Sequence, residues 1–233
     1  LTMSDRPNTE TLASSADLDA RLRRGDEPRW LATRYAQPAL RERMVALYLL
    51  RLELTRALGL TQPMLGKIRV QWWRESLESI RAGAPRRHDL TLELARCFEG
   101  APDRLADLNQ LVDAFDDVID DHLSEGHSDT ERHAARHGAA EAASCAGAAR
   151  ILAPDVEEDQ LSVLIACAHA YLAAKAGLAD GDVLWADARR RARMLPPALW
   201  PAIAHLAADP PGAEAGPLSR RLNVLRAVLL RRL

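Results

Sequence analysis

The densest group of metal-binding side chains in the sequence is an aspartate cluster in a segment predicted to be helical. Asp113, Asp116, Asp117 and Asp120 follow the spacing i, i+3, i+4 and i+7, which places their carboxylates on one helical face. Carboxylates stacked in this way repel one another unless a cation lies among them, and Mg²⁺ commonly bridges carboxylates to substrate phosphates. The cluster therefore suits a diphosphate-handling enzyme that holds Mg²⁺ on Asp116, Asp117 and Asp120. A solvated helix end beside the polar segment 124–129 is the simpler interpretation.

A second unusual segment combines two adjacent tryptophans with an arginine. Trp72 and Trp73 point in different directions on a helix, so they cannot both face solvent without cost. Arg69 lies three and four residues before them, which places its guanidinium beside the indoles. Two interpretations stay open. The segment forms an apolar pocket in which Arg69 binds an anion, or it forms a wide core face on which Arg69 pairs with an acid such as Glu53.

The histidines give a weaker signal. His133 and His137 are four residues apart on a predicted helix, and His122 and His127 lie nearby, which is compatible with a transition metal. The segment has neither an HExxH motif nor a cysteine at ligand spacing, so a solvated polar face is the favoured interpretation. His169, within an apolar run, is predicted to be a hydrogen-bonded core histidine. No nucleophile elbow, P-loop or dinucleotide glycine fingerprint occurs in the sequence.

The elements that position these residues are predicted to be helices. Aromatic residues make up only 4% of the chain and β-branched residues are scarce, while alanine, leucine and arginine dominate, so strands lack their preferred residues. Proline and glycine divide the chain into about ten helical segments, one of which starts at Pro38 and another at Pro63. Asp17 is the predicted cap of the first helix. The sequence predicts one all-α domain over residues 17–233 behind a disordered or extended tail over 1–16.

Charge and composition restrict the partners. A formal charge of −2 provides no broad basic surface for nucleic acid, and three widely spaced cysteines fit a reducing compartment. The N-terminal residues lack the pattern of a signal peptide, and the apolar stretch 160–174 is too short to span a bilayer. We therefore expect a cytoplasmic protein.

The C-terminal segment is a basic amphipathic helix in which leucines form one stripe, at positions Leu222, Leu225, Leu229 and Leu233. Packing of this stripe onto the chain's own domain is the favoured interpretation. Peripheral contact with the inner face of a membrane, or docking on a partner protein, is the alternative.

Two segments together resemble a known family. The run Met44-Val-Ala-Leu-Tyr-Leu-Leu-Arg-Leu-Glu-Leu, followed by Gly66-Lys-Ile-Arg-Val-Gln-Trp-Trp-Arg-Glu-Ser-Leu, is similar to paired helices of the squalene/phytoene synthase family. The resemblance implies an isoprenoid-synthase-like helical bundle with a central cavity. It also makes Glu53, Arg69, Gln71, Trp72, Trp73 and Arg74 the candidate cavity residues for an isoprenoid or lipid ligand.

The chain departs from the family at both metal motifs. In active members, two aspartate-rich motifs on facing helices hold Mg²⁺ and two prenyl diphosphates for head-to-head condensation. The stretch that matches the first motif, 51–56, retains the single acid Glu53, and the stretch that matches the second, 168–179, contains no acid. The aspartates at 113–120 align with neither motif, and Asp180 and Asp182 fall beyond the second.

This combination resembles the branch that contains the mitochondrial complex I assembly factor and its proteobacterial relatives. It implies a non-catalytic assembly or partner-binding factor for a respiratory membrane complex, with no cofactor. The alternative is an active Mg²⁺-dependent prenyltransferase that uses Asp116, Asp117 and Asp120 on isoprenoid diphosphates.

Overall fold

The computed structural model describes residues 13–123 and 129–233, apart from the side chains at 102 and 103. The described residues form helices and no strand, in agreement with the predicted all-α class. The helices are α1 (Ser15–Gly25), α2 (Glu27–Arg34), α3 (Pro38–Leu58), α4 (Pro63–Arg81), α5 (Asp89–Cys97), α6 (Pro102–Leu123), α7 (Thr130–Leu152), α8 (Glu158–Lys175), α9 (Gly181–Ala192) and α10 (Pro217–Leu230). Two short 3₁₀ helices, Pro197–Ala202 and Ala204–Ala207, precede α10.

Local sequence explains where the helices begin. The first starts three residues earlier than predicted, because Ser14 rather than Asp17 is its N-cap. The Ser14 hydroxyl accepts from the Asp17 amide, and the Asp17 carboxylate accepts from the Ser14 amide, which completes a capping box. Of the predicted tail, residues 1–12 lie outside the described residues.

The stretch predicted as one helix over 198–207 is two 3₁₀ turns, because Pro201 has no amide hydrogen to donate.

Helix α3 is the centre of the bundle. Its residues from Met44 to Leu50 are all buried, and the helix contacts α1, α2, α4, α5, α6 and α7. A helix that is apolar on every side is stable only when other helices surround it. Helix α3 also carries the stretch 51–56 that resembles the position of the first metal motif, and within it Arg51 is half-buried and Glu53 is buried.

Helices α7 and α8 pack closely because one of them is built from small residues. At Gly138 of α7, an added Cβ would lie 2.7 Å from the Nδ1 atom of His169 on α8.

The three cysteines, Cys97, Cys145 and Cys167, are buried and free, as predicted. None of the described helices combines the length and apolarity that a membrane span requires.

The C-terminal helix α10 packs through a different face from the one predicted. Val224 and Ala227 are its buried residues, and they contact α2 and the second 3₁₀ helix. Leu222 and Leu229 are exposed, as are Leu218 and Leu230. Leu225 is half-buried and Leu233 packs against the core, so the predicted packing of the leucine stripe onto the domain is wrong for Leu222 and Leu229 alone.

Candidate functional site

The interior of the bundle contains a network of charged side chains around Glu141 of α7. The Glu141 carboxylate accepts from Arg29 Nη2 of α2 at 2.6 Å and from Arg51 Nη2 of α3 at 2.8 Å. His205 of the second 3₁₀ helix lies with its Nε2 atom 2.6 Å from Glu141 Oε1. Because a carboxylate only accepts, this imidazole nitrogen carries the hydrogen. Four separate segments thus converge on one buried anion.

A second acid balances the charge of the network. Asp26, at the N-cap of α2, accepts from Arg29 Nη1 at 2.8 Å and lies 3.7 Å from Arg51 Nη1. Two carboxylates therefore face two guanidiniums. Burial opposes ionisation of Glu141, yet the adjacent Arg29 and Arg51 hold its pKa well below the ordinary value. Burial and the nearby Arg29 charge lower the pKa of His205, so that imidazole is neutral at neutral pH.

One member of this network, Arg51, comes from the stretch of α3 that resembles the family's first metal motif. Arg51 lies three residues after Tyr48 on α3, within the stretch that matches that motif. Sequence reasoning missed Arg29, Glu141 and His205. One available signal was that Glu141 is the only charged residue between Gly138 and Ala149, a run of small residues typical of a buried helix.

Glu141, Cys145 and His205 bring ligand atoms together, but their environment does not suit a metal ion. Both oxygens of Glu141 already accept hydrogen bonds from arginine. Burial raises the pKa of the Cys145 thiol well above its ordinary value, whereas a thiol binds metal as the thiolate. A cation at this point would have to displace two buried guanidinium groups.

An open groove of about 540 Å³ lies between α3, α4 and the segment before α5. Its lining residues are Glu53, Leu60, Leu65, Ile68, Arg69, Trp72, Trp73 and His88. Gly66 allows α4 to approach α3 here, since an added Cβ would lie 2.9 Å from the Ala57 carbonyl oxygen. The groove has apolar walls and few charged groups, which is typical of sites for small apolar ligands.

The two tryptophans have different environments. Trp73 is 2% exposed and packs in the core, whereas Trp72 is partly exposed and lines the groove. Their ring centroids lie 4.8 Å apart, edge to face, and the His88 ring lies 5.2 Å from Trp72. The Arg86 guanidinium covers Trp72 at 5.6 Å. Trp73 therefore behaves as a core residue, and Trp72 as a groove residue.

The charged residues of the groove do not pair with each other. Glu53 accepts from Arg21 and from Arg56, each at 2.6 Å. Arg69 is exposed and makes no hydrogen bond or ion pair with the described residues. The interpretation in which Arg69 pairs with Glu53 is therefore wrong, because Arg21 and Arg56 already occupy that carboxylate. Arg69 is left with its donors available at the edge of an apolar surface.

Gln71 and Arg74 face away from the groove. Arg74 donates to Asp113 at 2.7 Å and to Asp116 at 3.3 Å, and it donates to Gln71 Oε1 at 2.9 Å. These contacts direct both side chains toward α6. Of the six candidate cavity residues, the structure brings together Glu53, Arg69, Trp72 and Trp73.

The aspartate cluster of α6 is divided between two neighbouring helices. Lys67 of α4 lies 2.6 Å from Asp116 and 2.9 Å from Asp120, whereas Asp117 pairs with Arg136 of α7 at 3.1 Å. The cations that must relieve repulsion among the stacked carboxylates are thus supplied by the chain itself. Asp116 and Asp120 both contact the Lys67 ammonium, whereas Asp117 is directed toward α7, so the three aspartates do not converge on one point as a Mg²⁺ cluster requires.

The two stretches that match the family's metal motifs line different pockets. Glu53 lines the tryptophan groove, whereas Ala170 and Ala173 of α8 line a separate pocket of about 360 Å³ between α7, α8 and α9. His169 lies in this second pocket and is exposed, so the prediction of a core histidine is wrong. His169 packs beside Gly138 of α7, where an added Cβ would lie 3.4 Å from the His169 Cα atom.

These features define an all-helical protein with an ion-paired interior and a tryptophan-lined surface groove. Residues 22–122, from the end of α1 to the end of α6, match the family model for squalene/phytoene synthase. The match covers 101 of the 233 residues and includes both segments that carry the resemblance. No curated protein and no solved structure matched the chain.

Proposed function

We propose that this chain is a non-catalytic member of the squalene/phytoene synthase family that acts as an assembly or partner-binding factor for a respiratory membrane complex. The observation that carries the proposal is the replacement of the first metal motif by Arg51, whose guanidinium bonds the buried Glu141 carboxylate. A positive side chain held at this point repels Mg²⁺ and cannot serve as its ligand.

The residues at the two motif positions do not fit a Mg²⁺ cluster. Glu53 is the single acid at the first, and two arginines already bond it. The second position, 168–179, contains no acid. Ionisation of a prenyl diphosphate depends on cations that stabilise the charge developing on the leaving group, and removal of such a group costs orders of magnitude in rate.

The alternative of a Mg²⁺-dependent prenyltransferase rests on Asp116, Asp117 and Asp120. Their pairing with Lys67 and Arg136 counts against it, because metal binding would require these ion pairs to break. An activity assay with isoprenoid diphosphates and Mg²⁺ distinguishes this alternative from the proposal.

The tryptophan groove is the surface that supports a binding function. Ile68 is 62% exposed, and Met64 and Leu65 extend the same apolar face of α4. Contiguous exposed apolar surface next to an unpaired cation is typical of interaction sites. We assign the groove to an apolar segment or acyl chain that carries an anionic group, with Arg69 as the partner of the anion.

The exposed face of α10 supports peripheral contact with the membrane. Leu218, Leu222 and Leu229 project to solvent on one side of this helix, and Arg226 is also exposed. An amphipathic helix of this kind inserts its apolar face at the surface of an anionic bilayer.

Complementation of a deletion strain of the native organism tests the assembly role. We expect loss of the protein to lower NADH oxidation by isolated membranes, and Ile68→Glu to fail to restore it. Val183→Glu is the matched control, because Val183 is an equally exposed apolar residue on α9, away from the groove. Full respiratory activity in the deletion strain would contradict the proposal.

Sedimentation with vesicles tests the membrane contact separately. We expect binding to vesicles that contain phosphatidylglycerol and not to phosphatidylcholine vesicles, and we expect Leu222→Asp combined with Leu229→Asp to reduce that binding at least about tenfold. Equal sedimentation of this variant and the unmodified protein would exclude α10 as the contact.

A further inference from the structure

Three histidines meet where α6 ends and α7 begins. His122 lies in the last turn of α6, and His133 and His137 lie one turn apart in the first half of α7. The ring centroids of His133 and His137 are 4.2 Å apart, and those of His122 and His133 are 5.5 Å apart. One ring nitrogen from each histidine lies within 4.8 Å of the other two. The tertiary structure therefore assembles a group that the sequence presented as a solvated polar face.

One of these imidazoles has a buried nitrogen without a partner. The Nε2 atom of His137 is shielded from solvent and makes no hydrogen bond with the described residues. A buried polar atom without a partner carries a desolvation penalty. Coordination of a cation by this nitrogen would remove the penalty, and neutral imidazole is the commonest metal ligand in proteins.

A carboxylate lies in the position that supports a ligating histidine. The Nδ1 atom of His133 is 3.9 Å from Asp121 Oδ2, so a small rotation of either side chain brings them into hydrogen-bond distance. A carboxylate that accepts from one imidazole nitrogen fixes the ring and leaves the other nitrogen for the metal.

We propose that His122, His133 and His137 form a site for a transition metal ion of the Zn²⁺ class. Zinc–nitrogen bonds of about 2.0–2.1 Å place tetrahedral ligand nitrogens about 3.4 Å apart, so ring nitrogens that lie within 4.8 Å of one another must close by up to about 1.4 Å. His122 is exposed and is free to make this adjustment. Three nitrogen ligands leave the fourth position for water, and the ion fastens the end of α6 to the first half of α7.

This site is separate from the tryptophan groove and from the interior network, so it goes beyond the proposed function. The other group with converging ligand atoms, at Glu141, is blocked by arginine. His127 lies outside the described residues and has no part in the proposal.

Metal binding is tested on protein without an affinity tag that has been stripped with a chelator. We expect isothermal titration with Zn²⁺ to give one site per chain with micromolar or tighter affinity. Saturating Zn²⁺ should raise the midpoint of thermal unfolding by about 5–10 °C. Substitution by Co²⁺ should give the visible bands of a tetrahedral ion without a thiolate charge-transfer band, because the ligands are imidazoles.

The variants decide whether the cluster is the site. We expect His122→Ala and His137→Ala each to weaken binding at least about tenfold, the usual range for loss of support at a metal site. His169→Ala is the matched control, because it removes an imidazole from the adjacent α8 and should bind normally. Since His122 is exposed, its replacement tests the ligand role without disturbing the core. Failure of the unmodified protein to bind Zn²⁺ below 100 µM, or unchanged binding by His122→Ala and His137→Ala, would overturn the proposal.

Discussion

The buried network at Glu141 and the aspartate cluster of α6 use the same chemical groups in opposite environments. In the interior, Arg29 and Arg51 bond one carboxylate that water does not reach. On α6, Lys67 and Arg74 bond carboxylates that remain partly exposed. Both arrangements occupy carboxylates that would otherwise be available to a cation. The comparison shows that the chain neutralises carboxylates with its own cationic side chains both in the core and at the surface, whereas only the core pairs are removed from water.

The largest expected effect comes from removal of the central anion. Glu141→Ala leaves Arg29 and Arg51 buried beside each other without that carboxylate, and breaking a buried pair typically costs about 3–5 kcal/mol. We expect a loss of this size in the free energy of unfolding, measured by urea denaturation. A loss below about 1 kcal/mol would show that water reaches the network and that the contrast between the two regions is false.

Acidification should act on the interior through His205. Its pKa is lowered in the folded protein, so below the ordinary value of 6.5 the unfolded chain binds a proton that the folded protein does not. The contribution of His205 to the free energy of unfolding is therefore fully present above pH 6.5. It is lost as the pH drops below this value, by at most about 1.4 kcal/mol per pH unit. The Glu141 pKa is also lowered, so its contribution is lost as the pH falls below its ordinary value of 4.5.

The variant His205→Gln separates these contributions. It keeps an amide donor for Glu141 and removes the titrating group, so the slope of stability against pH between 6.5 and 4.5 should become shallower than in the unmodified protein. A chelator in all samples removes any effect of bound metal. Identical slopes for the two proteins would mean that His205 is not held neutral by the network.

The smallest effect is expected at the surface. Lys67→Met removes the cation shared by Asp116 and Asp120, and exposed ion pairs contribute about 0–1 kcal/mol. We expect a loss within this range that shrinks further in high salt. A loss of unfolding free energy as large as that of Glu141→Ala would show that the ion pairs of α6 contribute as much to stability as those of the interior network.

Much of the architecture follows from local sequence patterns. Pro38 and Pro63 mark the starts of α3 and α4, and the unbroken apolar run after Met44 marks the central helix. The network was not predictable in the same way. Its members come from α2, α3, α7 and a 3₁₀ helix, and helical periodicity reports only which residues share a face of one helix.

The tryptophan groove was predicted only in part, because contacts between helices also determine which residues line it. The adjacent tryptophans identified the segment, but their separation into a core residue and a groove residue depends on how α4 packs against α3 and α6. Similarly, the leucine stripe of α10 had the spacing of a buried face. Close packing of Val224 and Ala227 against α2 left Leu222 and Leu229 of that stripe exposed instead.

The most direct test of the central claim is incubation of the purified protein with farnesyl or geranylgeranyl diphosphate and Mg²⁺, with diphosphate release and prenyl products measured. Because Arg51 occupies the first motif position and the second has no acid, we predict no release above that of a heat-inactivated sample. Mg²⁺-dependent turnover that is abolished by Asp117→Ala would contradict the account and identify the aspartates of α6 as a working metal site.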